Sequence, residues 1–240
     1  MGAGAGARMS TAAATRHSAP RGGAGELGTA RRFLESAPPE VEDPTIDVAF
    51  ALDGRSLARD HTRALADALA CHLPWLAGHP TAGVHPVKLV PGNEPVAWLS
   101  RRARLLLRVP RSREAALVAL DGCTLEVGGH ALRLGSPKSH PLLPHGTLYS
   151  YFVAAASDDE AAFMQRVANE LAALGVACRT VCGRHQKRSG TPTALPGFSL
   201  MLHELSATDS LLLQRVGLGP HRGLGCGLFV PHRSAAAVGS

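Results

Sequence analysis

The sequence predicts an α+β chain made of two successive β-α-β-β-α-β halves, and three observations carry that prediction. Period-two apolar runs alternate with period-four stripes along the chain. The pattern occupies 45–135 and begins again over 147–233, each a usual size for such a unit. Glycine, proline or a capping residue punctuates most of the runs.

In the first half Ile46, Val48 and Phe50 point one way while Asp47 and Ala49 point the other, the alternation of a half-buried strand. Leu57, His61, Leu65 and Leu69 recur every four residues and predict a helix that Pro74 ends. Strands are expected near 84–90 and 103–109, then a short helix near 112–120 and a hairpin over 124–134 that turns at Gly128-Gly129. A Pro- and His-rich connector over 136–146 leads to the apolar run 148–153. The following helix has a capping box in Ser157 and Glu160, a stripe in Met164, Val167, Leu171 and Leu174, and a stop at Gly175. Strands at 176–181 and 198–205 flank a basic loop, a helix opens at Ser206 with Asp209 three residues on and ends at Gly217, and 228–230 is a short closing strand. Four antiparallel strands with two helices on one face make each half a ferredoxin-like unit. Residues 1–44, almost free of large apolar side chains, read as a disordered leader, and 234–240 as a tail.

Hydrophobic residues make up 45% of the 240, enough for a real core. No run approaches the ~20 apolar residues of a membrane-spanning helix, and no secretory signal is present, so a cytoplasmic protein is expected. Cys71, Cys123, Cys178, Cys182 and Cys226 are scattered apart from one pair that nothing completes into a zinc site, so reduced thiols, no metal and no cofactor are expected. A net charge of +6 points to an anionic partner. Residues 1–44 hold five Arg and five acids, whereas from Cys178 onward Arg179, Arg184, Lys187, Arg188, Arg215, Arg222 and Arg233 face only Glu204 and Asp209. The positive field belongs to the C-terminal part.

The most specific string runs from 217 to 231, Gly-Leu-Gly-Pro-His-Arg-Gly-Leu-Gly-Cys-Gly-Leu-Phe-Val-Pro, with Gly217, Gly219, Gly223, Gly225 and Gly227. Glycine reaches positive φ and lets backbone amides approach phosphate oxygens, and His221 and Arg222 add charge beside them. A nicotinamide-cofactor loop is excluded, because that loop needs a strand before it and a helix after it, and here the order is reversed.

This closing string is similar to the terminal glycine-rich loop of the CRISPR-associated "Cas-six" repeat endoribonucleases of the MYXAN type. Asp60-His61, Leu73-Pro74-Trp75-Leu76, Val84-His85-Pro86, the 105–110 strand and Leu205-Ser206…Ser210 resemble that subtype in the same order, and the likeness covers about 46–231. It implies two ferredoxin-like halves that bind precursor CRISPR RNA at the repeat hairpin and cut it into mature guides, leaving a 2′,3′-cyclic phosphate and a 5′-hydroxyl. Other subunits of a type I CRISPR surveillance complex are implied partners. A base takes the 2′-hydroxyl proton, the oxygen attacks phosphorus in line, and an acid protonates the leaving oxygen, so no metal is needed.

Histidine suits both proton transfers because it titrates near neutrality. Among twelve histidines, His61 and His85 stand where the resembling family keeps its base or acid; His79 is a lesser candidate, and His72 reads as structural. Lys88, Arg101, Arg102 and Arg104 are candidates for steadying the phosphorane. Arg184, Lys187 and Arg188, with Arg179 and His185, are expected on or beside a hairpin loop that touches RNA phosphates. Six Phe, two Trp and two Tyr, with no recognition-motif string, argue against base stacking on a sheet. The rival reading is a repeat-RNA-binding subunit that does not cut; a small-molecule-binding regulator is disfavoured by the glycine loop and the C-terminal charge.

Overall fold

The computed structural model describes residues 43–188 and 194–232. The expected leader, apart from its last two residues, and the 234–240 tail lie outside them. The first half comprises β1 (Thr45–Asp53), β2 (Ser56–Ala58), α1 (Thr62–His72), β3 (Gly83–His85), β4 (Val96–Trp98), β5 (Arg104–Pro110), a 3₁₀ helix (Arg111–Leu120), β6 (Thr124–Val127), β7 (His130–Leu134) and β8 (Lys138–Pro141). The second comprises β9 (Thr147–Ala154), α2 (Glu160–Ala173), β10 (Arg179–Arg188), β11 (Leu195–His203), α3 (Ala207–Val216) and β12 (Val230–Pro231).

The first sheet runs β3-β5-β1-β7-β6, with β8 continuing beside β1 where β7 leaves it; the second runs β10-β11-β9-β12. Every pairing is antiparallel. Val48 and Phe50 of β1, Leu65 and Leu69 of α1, and Leu105 and Leu107 of β5 share one core. Phe163, Val167 and Leu171 of α2 pack with Leu148, Leu200, Leu202 and Leu213 in the other.

Several elements depart from the expectation for local reasons. Helix α1 begins at Thr62, because Leu57 is buried as a strand residue of β2 opposite Ala97 and only mimics the helical period. The expected 84–90 strand pairs only over β3. The 112–120 helix is a 3₁₀ helix with Leu117 and Leu120 buried, a spacing of three that suits three residues per turn. Gly128 and Gly129 do make the hairpin turn, at φ of 57° and 82°. The connector is partly ordered into β8 on the edge of β1. At α2 the cap is Asp159, whose Oδ1 accepts from the amides of Ala161 and Ala162, while Ser157 Oγ accepts only from the Asp159 amide. Ser206 caps α3 as expected, accepting from Asp209 N. Arg184, His185, Lys187 and Arg188, expected on or beside a loop, lie within β10, the edge strand, with Arg184 in the bulge between Cys182 and His185.

Candidate functional site

The two halves meet around a buried charge. Arg108 of β5 stands directly opposite Asp47 of β1 and is fully buried. Its Nε and Nη2 donate to the Asp47 carboxylate at 2.8 and 2.9 Å. Its Nη1 donates to the carbonyls of Gln214 (2.8 Å) and Phe229 (2.7 Å), so one guanidinium ties the first sheet to α3 and to the end of the glycine-rich string. A charge so placed persists only because a counter-charge and hydrogen bonds replace its water. Sequence reasoning passed over Arg108, although a lone charge within the apolar run 105–109 was a visible signal.

His85, at the end of β3, abuts this hub: its Nε2 lies 4.0 Å from Asp47 Oδ1, buried and without a hydrogen-bond partner among the described residues. Burial, reinforced by the Arg108 charge, pushes its pKa down to about 3. It is neutral at physiological pH. His61 is also buried. Its Nε2 accepts the Val87 amide proton at 3.0 Å and its Nδ1–H donates to the Ala58 carbonyl at 2.9 Å, so both ring nitrogens are spoken for and the tautomer is fixed. Burial also holds its pKa below the ordinary histidine value. The two histidines expected to be catalytic are thus buried, His61 with both ring nitrogens engaged and His85 against the Asp47–Arg108 pair.

The glycine-rich string is a clamp rather than an open cradle. Gly217, Gly219, Gly225 and Gly227 take positive φ, between 64° and 77°. Their amides are already engaged: Gly217 with Leu213 O, Gly225 with Arg222 O, Gly227 with Phe152 O and Gly219 with Glu170 Oε2. Gly225 rests against Pro86 and Val84 O of the first half. Arg222 donates from Nε to Ala82 O and from Nη2 to Thr81 O and Arg215 O, and its burial lowers its pKa to about 10. At the tip of the string His221 is exposed and Gly223 is half-buried with open space beside it.

That tip overhangs two adjoining clefts of 280 and 330 Å³. Arg63 and Asp67 of α1, with Val84, Leu224 and His221, line one. His79, Pro80, Ala82, Pro220, His221 and Gly223 are among the residues lining the other. His221 is a non-glycine residue at φ 68°, ψ 36°, a left-handed conformation that costs energy and marks a constrained position. His79 is half-buried, with Nδ1 3.4 Å from Thr81 Oγ1 and its ring edge-on to Trp75. Lys88, Arg101, Arg102 and Arg104 line neither cleft.

On β10 the three cations expected on RNA diverge. Arg184 is exposed, Lys187 is exposed and paired with Asp158 at 2.6 Å, and Arg188 is drawn inward, 4.3 Å over the Phe152 ring with Nη1 donating to Leu224 O. All five cysteines are unpaired thiols. Among the described residues, no three His, Cys, Asp or Glu side chains gather as a metal site, and no helix is long and apolar enough to cross a membrane.

Two solved structures share this arrangement. "An RAMP protein binding different RNA substrates" aligns with a TM-score of 0.57 at 13% identity over 79% of this chain and all of its own. "CRISPR associated protein Cas6" gives 0.56 at 12% identity over 79% and 99%. At such identities they establish the fold, a Cas6/RAMP-like α+β architecture of antiparallel sheets with few helices. The sequence narrows this further. The family described as Cas6 Crispr matches residues 46–234, and "CRISPR-associated endonuclease Cas6" of Myxococcus xanthus (strain DK1622) is 37% identical over 196 residues, 81% of this chain and 85% of its own. The chain belongs to the Cas6 CRISPR family.

Proposed function

We propose that this protein is a metal-independent endoribonuclease that binds the CRISPR repeat hairpin and cuts precursor CRISPR RNA by 2′-hydroxyl attack, on a frame of two ferredoxin-like units. The observation that carries the reading is the 37% identity across most of both chains to a relative named as a CRISPR endonuclease. Counting the main strands of each half in chain order, both sheets read second-third-first-fourth, the order of a split β-α-β unit, which supports the tandem frame. The basic C-terminal part and the open clefts between the halves suit an RNA partner.

Chemistry falls to the histidines that line a cleft. His79 and His221 line one cleft from opposite halves, so one can take the 2′-hydroxyl proton while the other protonates the departing 5′-oxygen. Arg63, on the adjoining wall, supplies charge near a bound phosphate. His61 and His85 act as positioning residues: His61 fixes the segment at Val87, and His85 packs against the Asp47–Arg108 pair.

Single-turnover cleavage of the host's repeat RNA at saturating protein tests this reading. His79→Ala or His221→Ala should cut ~10²–10⁴ more slowly while binding nearly as well. Wild-type rates in both variants would move the chemistry elsewhere, and RNA retarded but never cut by the wild type would leave a binding subunit.

A further inference from the structure

The second sheet has an outer face that its helices leave bare. Leu148, Leu200 and Leu202 point into the core with α2 and α3, so their neighbours on β9 and β11 point the other way. There Tyr149 and Tyr151 meet edge to face with ring centroids 4.9 Å apart, and His232 lies 5.3 Å from Tyr149. Met201 pairs with Tyr149 across the strands, and Tyr151 is 52% exposed. A bulge in the β9/β11 register, between Phe198 and Leu200, accompanies this crowding of rings.

This face leads to the glycine-rich loop. Gln186 Nε2 donates to Tyr151 O at 3.0 Å, and two residues further along β10 Arg188 lies over Phe152 and bonds Leu224 O. The cations Arg179, Arg184, Lys187 and Arg188 of β10 outnumber the two acids paired with the strand, Glu204 on Arg179 and Asp158 on Lys187. Exposed rings already fixed by their neighbours lose little freedom on binding, and every nucleobase offers a flat face to stack on them.

We propose that Tyr151, supported by Tyr149 and His232, stacks an unpaired nucleotide flanking the RNA hairpin. The proposal rests on the reading above that RNA is the ligand. The low count of aromatic residues argued against sheet stacking, but a count does not show that both tyrosines of the chain share one bare face.

The test uses the full chain and the host's repeat RNA in two forms, the bare hairpin and the hairpin with its unpaired flanks. Tyr151→Ala should weaken binding of the flanked RNA by ~5- to 100-fold, the range for losing one stacked base, and leave the bare hairpin alone. Tyr151→Phe, which keeps the ring, should restore affinity to within about two-fold. Photocrosslinking from 5-iodouridine in the flank should label the 147–154 peptide. Equal affinity of wild type and Tyr151→Ala for the flanked RNA, or equal loss on both RNAs, overturns the stacking site and makes the face a surface for something else. Failure of the wild type to bind even the bare hairpin overturns the RNA reading itself.

Discussion

Between the folded and unfolded chain the pKa of His85 moves from 6.5 in the ordinary side chain to about 3 in the buried one. Over that interval the unfolded chain holds a proton that the fold refuses, so stability is complete above pH 6.5 and is lost as pH falls toward 3. Denaturant unfolding should show a loss of ~2 kcal/mol from this group between pH 7 and pH 5. His85→Asn should flatten that slope, with His61 contributing in the same direction to what remains; an unchanged slope would remove His85 from the buried hub. Gly225 makes a second test at this scale. It sits at φ 77°, and a Cβ there would come 2.6 Å from Pro86 Cδ and 3.0 Å from Val84 O. Gly225→Ala should cost ~1–3 kcal/mol in thermal unfolding without RNA, from strain and overpacking together. A wild-type melting temperature would show that the loop does not press on the first half. The sequence marks these residues as notable, since a histidine beside a proline and five glycines in one string stand out. It does not show which ring nitrogens and amides the protein consumes itself, and that decides between clamp and cradle.

Strand β10 carries the basic cluster of the second half, as an edge strand whose cations differ in role. Arg184 and Lys187 are exposed, while Arg188 braces the glycine-rich loop from beneath. Replacing Arg184 and Lys187 by Ala should flatten the slope of log affinity against log salt by up to about two, because each phosphate contact releases counterions. Identical slopes would take β10 off the RNA. Arg188→Ala should act instead on stability, through the lost Phe152 and Leu224 contacts. Elements with a strong period were legible beforehand: β1, α2, α3 and the 124–134 hairpin stand close to where alternation, stripes and caps put them. The misplaced ones fail for stated causes. Leu57 is buried by a strand that happens to fall in helical register, and the Arg-rich stretch of β10 lacks the apolar alternation that would mark it as a strand.

Across the whole molecule, the halves are joined by long cationic side chains that reach backbone carbonyls of the opposite half: Arg108 to Gln214 and Phe229, and Arg222 to Thr81 and Ala82. The glycine-rich string that they hold in place brings His221 to the cleft that His79 also lines. Long-range convergence of this kind has no local sequence signature, so the sequence does not show that His79 and His221 line one cleft. The most direct test is the reaction itself, metal-free cleavage by 2′-hydroxyl attack. Full-length protein incubated with end-labelled host repeat RNA in excess chelator should yield one shortened product ending in a 2′,3′-cyclic phosphate, and RNA with hydrogen in place of the 2′-hydroxyl at the scissile position should stay whole. Cleavage that the chelator stops, or that proceeds on the 2′-deoxy RNA, would contradict it.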